Sequence, residues 1–176
     1  MSGHARERFR PLTVCVLTVS DSRGPADDRS GSLLGERLLA AGHCWRQRCV
    51  VPDDRYRIRA AVSAWIAEPE VEAILVNGGT GVTERDVTPE AVRPLLDREL
   101  PGFGESFRAC SREEIGMAAI QSRALAGVAN ATLLVALPGS TGACATAWDR
   151  ILAGQLDARS EPCSLAALLP ERAGGR

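Results

Sequence analysis

Lysine is absent from this chain, and every one of its 21 basic residues is arginine. A P-loop needs a lysine on its phosphates, a Schiff-base or pyridoxal enzyme needs a lysine amine, and a protein kinase needs its strand lysine. None of these classes can operate here. Histidine is nearly absent too: His4 sits in a polar terminus and His43 at the end of a helical pattern, which leaves little for histidine-dependent proton transfer. Cys15, Cys44, Cys49, Cys110, Cys144 and Cys163 contain no C-x-x-C pair, so a zinc or dithiol site is not indicated. They read as reduced packing thiols of a cytoplasmic protein. Neither sign of charge is in excess, with 21 basic against 22 acidic residues and a formal net charge of -1. Nothing in that balance draws the chain to nucleic acid or an anionic membrane. Long apolar runs are also missing, because the longest uncharged segment, 124–148, is interrupted by Asn130, Pro138 and several glycines. Arg6, Arg8 and Arg10 ahead of the apolar run Leu12 to Val19 imitate a signal peptide, but no small-residue cleavage site follows.

What is present reads as one domain spanning 1–176, with flexible or irregular ends at 1–10 and 160–176. A chain of 176 residues buries close to 70% of its unfolded surface and needs no disulfide or structural metal. Strand and helix signals alternate. Leu12 to Val19 is a strand buried on both faces, and Ser32 to Ala41 carries Leu33, Leu34, Leu38 and Leu39 on one helical stripe closed by Gly42. Cys44 to Val51 reads as a more exposed strand, Tyr56 to Ala67 as a helix and Val71 to Val76 as an apolar strand. Thr88-Pro89-Glu90 looks like an N-cap, a first-turn proline and an acidic first turn opening a helix to about Leu100. Pro101-Gly102 is expected to break it, with one or two short helices in Phe103 to Ser122. Thr132 to Leu137 is a strand, followed by a helix over Thr141 to Leu152. The alternation predicts a three-layer α/β fold, a mostly parallel open sheet with helices on both faces.

In such sheets ligands bind beyond the carboxyl ends of the strands, and three strand-end loops are unusual. The first holds Ser20-Asp21 and Asp27-Asp28-Arg29-Ser30-Gly31. The second is Asn77-Gly78-Gly79-Thr80-Gly81, whose bare backbone can approach an anion and present N–H groups to it. The third is Pro138-Gly139-Ser140-Thr141-Gly142, immediately ahead of a helix whose positive end favours phosphate. Each alone is also an ordinary strand-to-helix turn; together they imply a phosphate-bearing ligand. A dinucleotide fold is disfavoured, since no G-x-G-x-x-G follows the first strand.

Two acids stand beside these loops: Asp86, between the glycine loop and the helix start, and Asp53 or Asp54 after Pro52. A carboxylate next to phosphate is unfavourable unless it holds a cation, and Mg²⁺ takes one or two carboxylates plus substrate oxygens. Taken singly, Asp86 is equally a helix-entry acid, and Pro-Asp equally a turn.

These motifs, in this order, closely resemble the MoaB/MogA family of molybdenum cofactor biosynthesis proteins, whose fold recurs in the gephyrin G domain. The resemblance runs through Leu17-Thr-Val-Ser-Asp21, Asp28-Arg-Ser-Gly31, Val51-Pro-Asp53, Asn77-Gly-Gly-Thr-Gly81 and Arg85-Asp-Val-Thr-Pro-Glu90. It continues through Pro101-Gly-Phe-Gly-Glu105, Gln121-Ser-Arg123 and Leu137-Pro-Gly-Ser-Thr141. Glu113-Glu-Ile-Gly116, Ala126-Gly-Val-Ala-Asn130, Gln155-Leu-Asp-Ala-Arg159 and Pro162-Cys163 resemble the MoaB branch. The resemblance implies a homotrimer or hexamer and, where members are active, Mg²⁺- and ATP-dependent adenylylation of molybdopterin, giving adenylyl-molybdopterin and pyrophosphate. The product would pass to the molybdate-inserting enzyme. By the same resemblance, Asp53 and Asp86 would manage Mg²⁺ and the transferring phosphoryl group. Asn77, Gly78, Gly79, Thr80 and Gly81 would take nucleotide or phosphate, with Ser20, Asp28, Ser30 and Gly31 beside them. Pro138, Gly139 and Ser140 would lie near the pterin. Some MoaB-branch members lack the first Asp and are inactive, so the alternative reading is a non-catalytic protein of the same fold that binds or delivers molybdopterin or a precursor. Two features separate these outcomes here: both acids are present, and Glu84 stands where active relatives usually carry a small residue or proline.

Overall fold

A computed structural model describes residues 8–170, and the expectations for 1–7 and 171–176 lie outside it. Six strands form one sheet in the order β2-β1-β3-β6-β5-β4. β1 (Thr13–Val19), β2 (Cys44–Val51), β3 (Ala73–Asn77) and β6 (Thr132–Leu137) are parallel, so their carboxyl ends share one edge. β5 (Leu125–Ala129) and β4 (Arg98–Glu99) add antiparallel strands at the far side.

Alternation along the central strands builds the three layers, because successive side chains leave a strand on opposite faces. Val14 and Val16 of β1, Leu75 of β3 and Val135 of β6 pack with Leu34 and Leu38 of α1 (Arg29–Ala40), Phe103 and Phe107 of α4 (Pro101–Ile115), and Ala147 of α5 (Thr141–Ala147). Cys15, Leu17, Ile74 and Leu134 point the other way, onto Ile58 and Val62 of α2 (Arg55–Ala67) and Ala91 of α3 (Thr88–Val92).

Three expectations are corrected. The helix predicted from Thr88 to Leu100 ends at Val92 and gives way to a 3₁₀ turn, Arg93–Leu95, and then β4. Pro94 has no N–H for the Glu90 carbonyl, and Arg59 takes that carbonyl and the one on Ala91 (2.9 and 3.0 Å). Pro101-Gly102 opens a helix instead of breaking one: Pro101 is the first residue of α4, where its missing N–H costs nothing. A 3₁₀ stretch, Gly116–Gln121, follows. The sequence reading also passed over β5, which turns into β6 through Asn130 and Ala131, both at positive φ (46° and 61°), the backbone of a tight hairpin. At the described ends, side chains pack against the body of the protein. Arg10 is ion-paired to Glu72, and Ala166 of the short α7 (Leu165–Leu168) joins the core with Leu169. Residues 141–155 run almost as predicted, α5 passing through a π turn (Trp148–Leu152) into α6 (Ala153–Gln155).

All six cysteines are free thiols. Burial pushes the Cys15 thiol up to about 11 and the Cys144 thiol up to about 12, which suits packing and not nucleophilic chemistry.

Candidate functional site

The chain leaves β1 toward β2 on one side and returns to place β3 on the other, so the crevice at the carboxyl ends of β1 and β3 is the topological switch point. The three unusual loops converge there. Asn77 ends β3 fully buried, and its amide donates to the Leu17 carbonyl (3.3 Å) and the Thr18 hydroxyl (2.9 Å) across the crevice. Thr18 in turn donates to Asp28 (2.8 Å), which caps α1 by accepting the Gly31 N–H (2.8 Å). Ser30 donates to the side-chain amide oxygen of Asn77 (2.7 Å), closing the ring. The side chains of Asp28, Ser30 and Asn77 are therefore satisfied by one another. They fix the loops in place and leave the backbone and the outer residues to meet a ligand.

The glycine loop is held against both neighbours. Gly78 donates its N–H to Leu137 (2.9 Å), and a Cβ there would stand 2.1 Å from the Val19 carbonyl oxygen at φ +105°. Only glycine fits. Gly79, at φ +62°, is faced by Asp53: a Cβ would lie 2.6 Å from Asp53 Oδ1. Gly81 is faced by Asp86, whose Oδ2 would be 2.8 Å from such an atom. The two sequence-predicted acids thus bracket the loop, one at each outer glycine. Thr80 is buried between them. Thr88 is not an N-cap; it is the first residue of α3, its hydroxyl donating to the Gly78 carbonyl (2.8 Å) and its N–H to Gly79 (3.0 Å).

The two acids differ electrostatically. Burial raises the Asp53 carboxyl above the usual range, and the Asp21 and Asp86 charges push it further, against the pull of Arg85. Its Oδ1 is buried without a hydrogen-bond partner, an arrangement that suits a bound cation. Burial works against the Asp86 charge as well. The Thr83 hydroxyl (2.6 Å) and amide (2.9 Å), the Gly81 amide and Arg123 outweigh it and hold Asp86 below the usual range. Asp54, the other candidate beside Pro52, caps α2 through the Tyr56 and Arg57 amides (2.9 and 2.8 Å). Of the two neighbours, Asp53 is therefore the one that faces the glycine loop, while Asp54 serves the helix start.

On the third loop, Gly139 packs against Gly78, so that a Cβ on it would be 3.0 Å from Gly78 Cα. Ser140 caps α5 by accepting the Ala143 N–H (3.1 Å), and the Pro138 carbonyl accepts from Cys144 Sγ. Ser20 Oγ gathers the amides of Ser22 and Arg23, and Arg23 reaches across to the Gly139 carbonyl (3.1 Å). An apolar hollow of 210 Å³ opens beside Thr80, Gly81 and Ser140, floored by Phe107, Ile115 and Ala143. A second depression of 430 Å³ lies on the outer flank of Asp86, where Glu84 lines it with Arg55 and Arg123.

Sequence reasoning missed three groups here. Asp21 accepts from Arg85 (Nε at 3.0 Å) and from the Asp53 amide (3.1 Å), linking the first loop to both acids. Thr88 secures Gly78. Arg123 grips the loop that carries Asp86. Asp21 and Arg123 lay in motifs already singled out, but nothing in linear spacing says which side chains those motifs reach.

The chain matches the family model described as a probable molybdopterin binding domain over residues 15–158. It is 55% identical over 156 residues to molybdenum cofactor biosynthesis protein B of Escherichia coli K12, covering 89% of this chain and 92% of that protein. Among solved structures, a molybdenum cofactor biosynthesis protein B superposes with a TM-score of 0.81 at 42% identity, covering 84% of this chain and 92% of that one. The tungsten cofactor synthesizing protein MoaB from Pyrococcus furiosus superposes at 0.75 and 36% identity, with coverages of 82% and 92%.

Proposed function

The chain belongs to the MoaB/MogA family of molybdenum cofactor biosynthesis proteins, and from that premise we propose that it is a molybdopterin adenylyltransferase. In the reaction, a terminal phosphate oxygen of molybdopterin attacks the α-phosphorus of ATP. The new P–O bond forms as the bond to the β-phosphate bridging oxygen breaks, and pyrophosphate leaves with the electron pair. The observation that carries this reading is the pair of acids bracketing the glycine loop, one of them with a buried, unpartnered oxygen. Without a cation, such a pair would repel the phosphates that the loop amides attract.

Asp53 and Asp86 are the residues that would hold Mg²⁺, which when bound neutralises phosphate oxygens and the charge developing on pyrophosphate. Among the described residues no cluster of three or more acidic, histidine or cysteine side chains is placed to hold a metal ion, so nucleotide oxygens would complete the shell. The amides of Gly79 and Thr80 would receive the nucleotide phosphates, since those of Gly78 and Gly81 already donate to Leu137 and Asp86. The Asn77–Asp28–Ser30 ring keeps those amides aimed before substrate arrives, which is where preorganisation lowers a barrier. The apolar hollow beside Ser140 would seat the flat pterin, bringing its phosphate toward the loop. The protein would act as a homotrimer or hexamer in the cytoplasm and pass its product to the molybdate-inserting enzyme. No helix among the described residues is long and apolar enough to cross a membrane.

Purified protein supplied with Mg-ATP and molybdopterin should release pyrophosphate and form the adenylylated pterin. No release, together with tight molybdopterin binding, would instead establish a non-catalytic binding or delivery protein. The one feature favouring that second reading is Glu84, an additional carboxylate facing the depression beside Asp86.

A further inference from the structure

The loop from Gly81 to Asp86 carries one of the two acids, yet little anchors its tip. Val82, Thr83, Glu84 and Arg85 are exposed. Thr83 and Asp86 bond to each other, through the Asp86 N–H to the Thr83 carbonyl (3.0 Å) and the Thr83 amide and hydroxyl to the Asp86 carboxylate. These bonds shape the turn without tying it to the sheet. The exposed Arg85–Asp21 ion pair is of a kind that holds little by itself. One side chain joins the two ends of the loop to the body of the protein. Arg123, on the segment between the 3₁₀ stretch and β5, donates Nε to the Gly81 carbonyl, Nη2 to the Asp86 carbonyl and Nη1 to the Glu90 carboxylate. Its own N–H donates to the Thr80 carbonyl (3.0 Å), which fixes where the side chain starts. Glu90 lies in α3, and Arg59 of α2 holds the carbonyls of Glu90 and Ala91.

We propose that Arg123 is a positioning residue of the reaction: its planar guanidinium closes the Gly81–Asp86 loop into a ring and so sets the Asp86 carboxylate against the phosphate-binding glycines. The proposal rests on the reading of this edge as the adenylylation site. Three acceptors lie in different directions around one flat cation, and a fork with five fixed N–H groups can serve all of them at once. A lysine ammonium on a flexible stem supplies the charge without the fork. Arg123 hydrogen-bonds to neither of the two carboxylates; its bonds to this loop go to the Gly81 and Asp86 carbonyls, so it places the loop through its backbone. A shift of about 1 Å in a group at the reacting centre costs on the order of 10²-fold in rate, which is the effect expected when the ring opens.

The test compares Arg123→Ala and Arg123→Lys in the full-length protein by amide hydrogen exchange, steady-state kinetics and calorimetric titration with Mg-ATP. In both variants the Thr83 and Asp86 amides should exchange at least about tenfold faster, while the amides of β1, β3 and β6 keep their protection. The Ala variant should lose about 10²-fold in kcat with the molybdopterin KM within about twofold of wild type. The Lys variant should recover less than about tenfold of that loss, because charge alone does not rebuild the fork. Ethylguanidinium at millimolar concentration should restore part of the activity of the Ala variant and none to the Lys variant. A general loss of structure would raise exchange everywhere and would not respond to guanidinium. Wild-type turnover in the Lys variant, unchanged loop exchange, or a uniform rise across the sheet would overturn the proposal. Should Arg123→Ala fail to fold, Glu90→Gln removes only the anchor and should raise exchange at the same two amides, an unchanged rate counting against the clamp. If the wild-type protein releases no pyrophosphate, the catalytic reading and the reaction role of Arg123 fail together. The exchange and Mg-ATP titrations still decide whether Arg123 orders the loop for ligand, so the two failures are told apart.

Discussion

Asp53 and Asp86 are two residues of one type whose surroundings push them in opposite directions. Asp53 is raised by burial and by the Asp21 and Asp86 charges, while Asp86 is lowered by Thr83, Gly81 and Arg123 despite its burial. Asp53→Asn and Asp86→Asn should each reduce pyrophosphate release by about 10²–10³-fold, the usual cost of one well-placed electrostatic group, with thermal unfolding little changed. Retained turnover in either would refute the assignment of roles. His43 offers a prediction about stability. It is buried, and its Nδ1 accepts the Leu12 N–H (3.2 Å). Burial lowers its pKa, Asp157 and Glu72 pull the other way, and Arg10 assists burial. With the folded pKa below the ordinary value of about 6.5, the unfolded chain binds the proton first as pH falls. The stability held by neutral His43 is complete above about pH 6.5 and is lost as pH drops through the folded pKa, with a slope of at most about 1.4 kcal/mol per pH unit. His43→Gln keeps an acceptor for Leu12 and cannot protonate, so urea melts at pH 7 and pH 5 should differ less for it than for wild type. An equal difference in both proteins would remove His43 as the cause.

At the scale of elements, the start of α2 gives two adjacent acids different surroundings. Asp54 accepts two amides as the cap, while Asp53 faces the glycine loop. Asp54→Ala should cost about 1 kcal/mol of stability and spare most of the turnover, whereas Asp54→Asn, still a good cap, should do neither harm. Denaturant titration beside the pyrophosphate assay checks both. Gly79→Ala should behave in the reverse way, since the added carbon would collide with Asp53 Oδ1 and the Thr88 hydroxyl at an unfavourable φ. Activity should fall far more than the melting temperature, and an active variant would mean that the loop does not hold its ligand in this conformation.

For the whole molecule, Ile115, Met117 and Ile120 are exposed at 58%, 62% and 71%, clustered around the end of α4 and the 3₁₀ stretch after it. A run of exposed large apolar groups favours burial against another surface. Met117→Glu with Ile120→Glu should therefore move the protein toward monomer in light scattering at micromolar concentration. A wild-type monomer would end that expectation. Metal and nucleotide should act together on the folded state: Mg²⁺ alone should leave the melting temperature nearly unchanged, and Mg-ATP should raise it, because a ligand that binds only the native form stabilises it by mass action. Tight Mg²⁺ binding without nucleotide would contradict a shell completed by substrate oxygens.

The sequence by itself determined whatever depends on local pattern. Uncharged β-branched runs set β1, β3 and β6, since a strand covered on both faces tolerates nothing else. Glycines at the strand ends marked the loops, since only they permit the close approach of Gly78 to Val19. The motifs that carry Asp53 and Asp86 also marked the two acids that face Gly79 and Gly81. What the tertiary structure alone decided are the relations that cross the chain. The end of α3 depends on Arg59, a residue 31 positions from the Glu90 carbonyl it takes. β5 was hidden because its register with β6 exists only once the hairpin closes on Asp97 and Ile66. The family resemblance had named Asp53, and the structure added that Asp53 faces the loop while Asp54 faces the helix amides. Arg123 remained invisible in its motif because its partners lie 33 to 42 residues away. A hydrogen bond carries no trace in sequence of how far apart along the chain its two ends are.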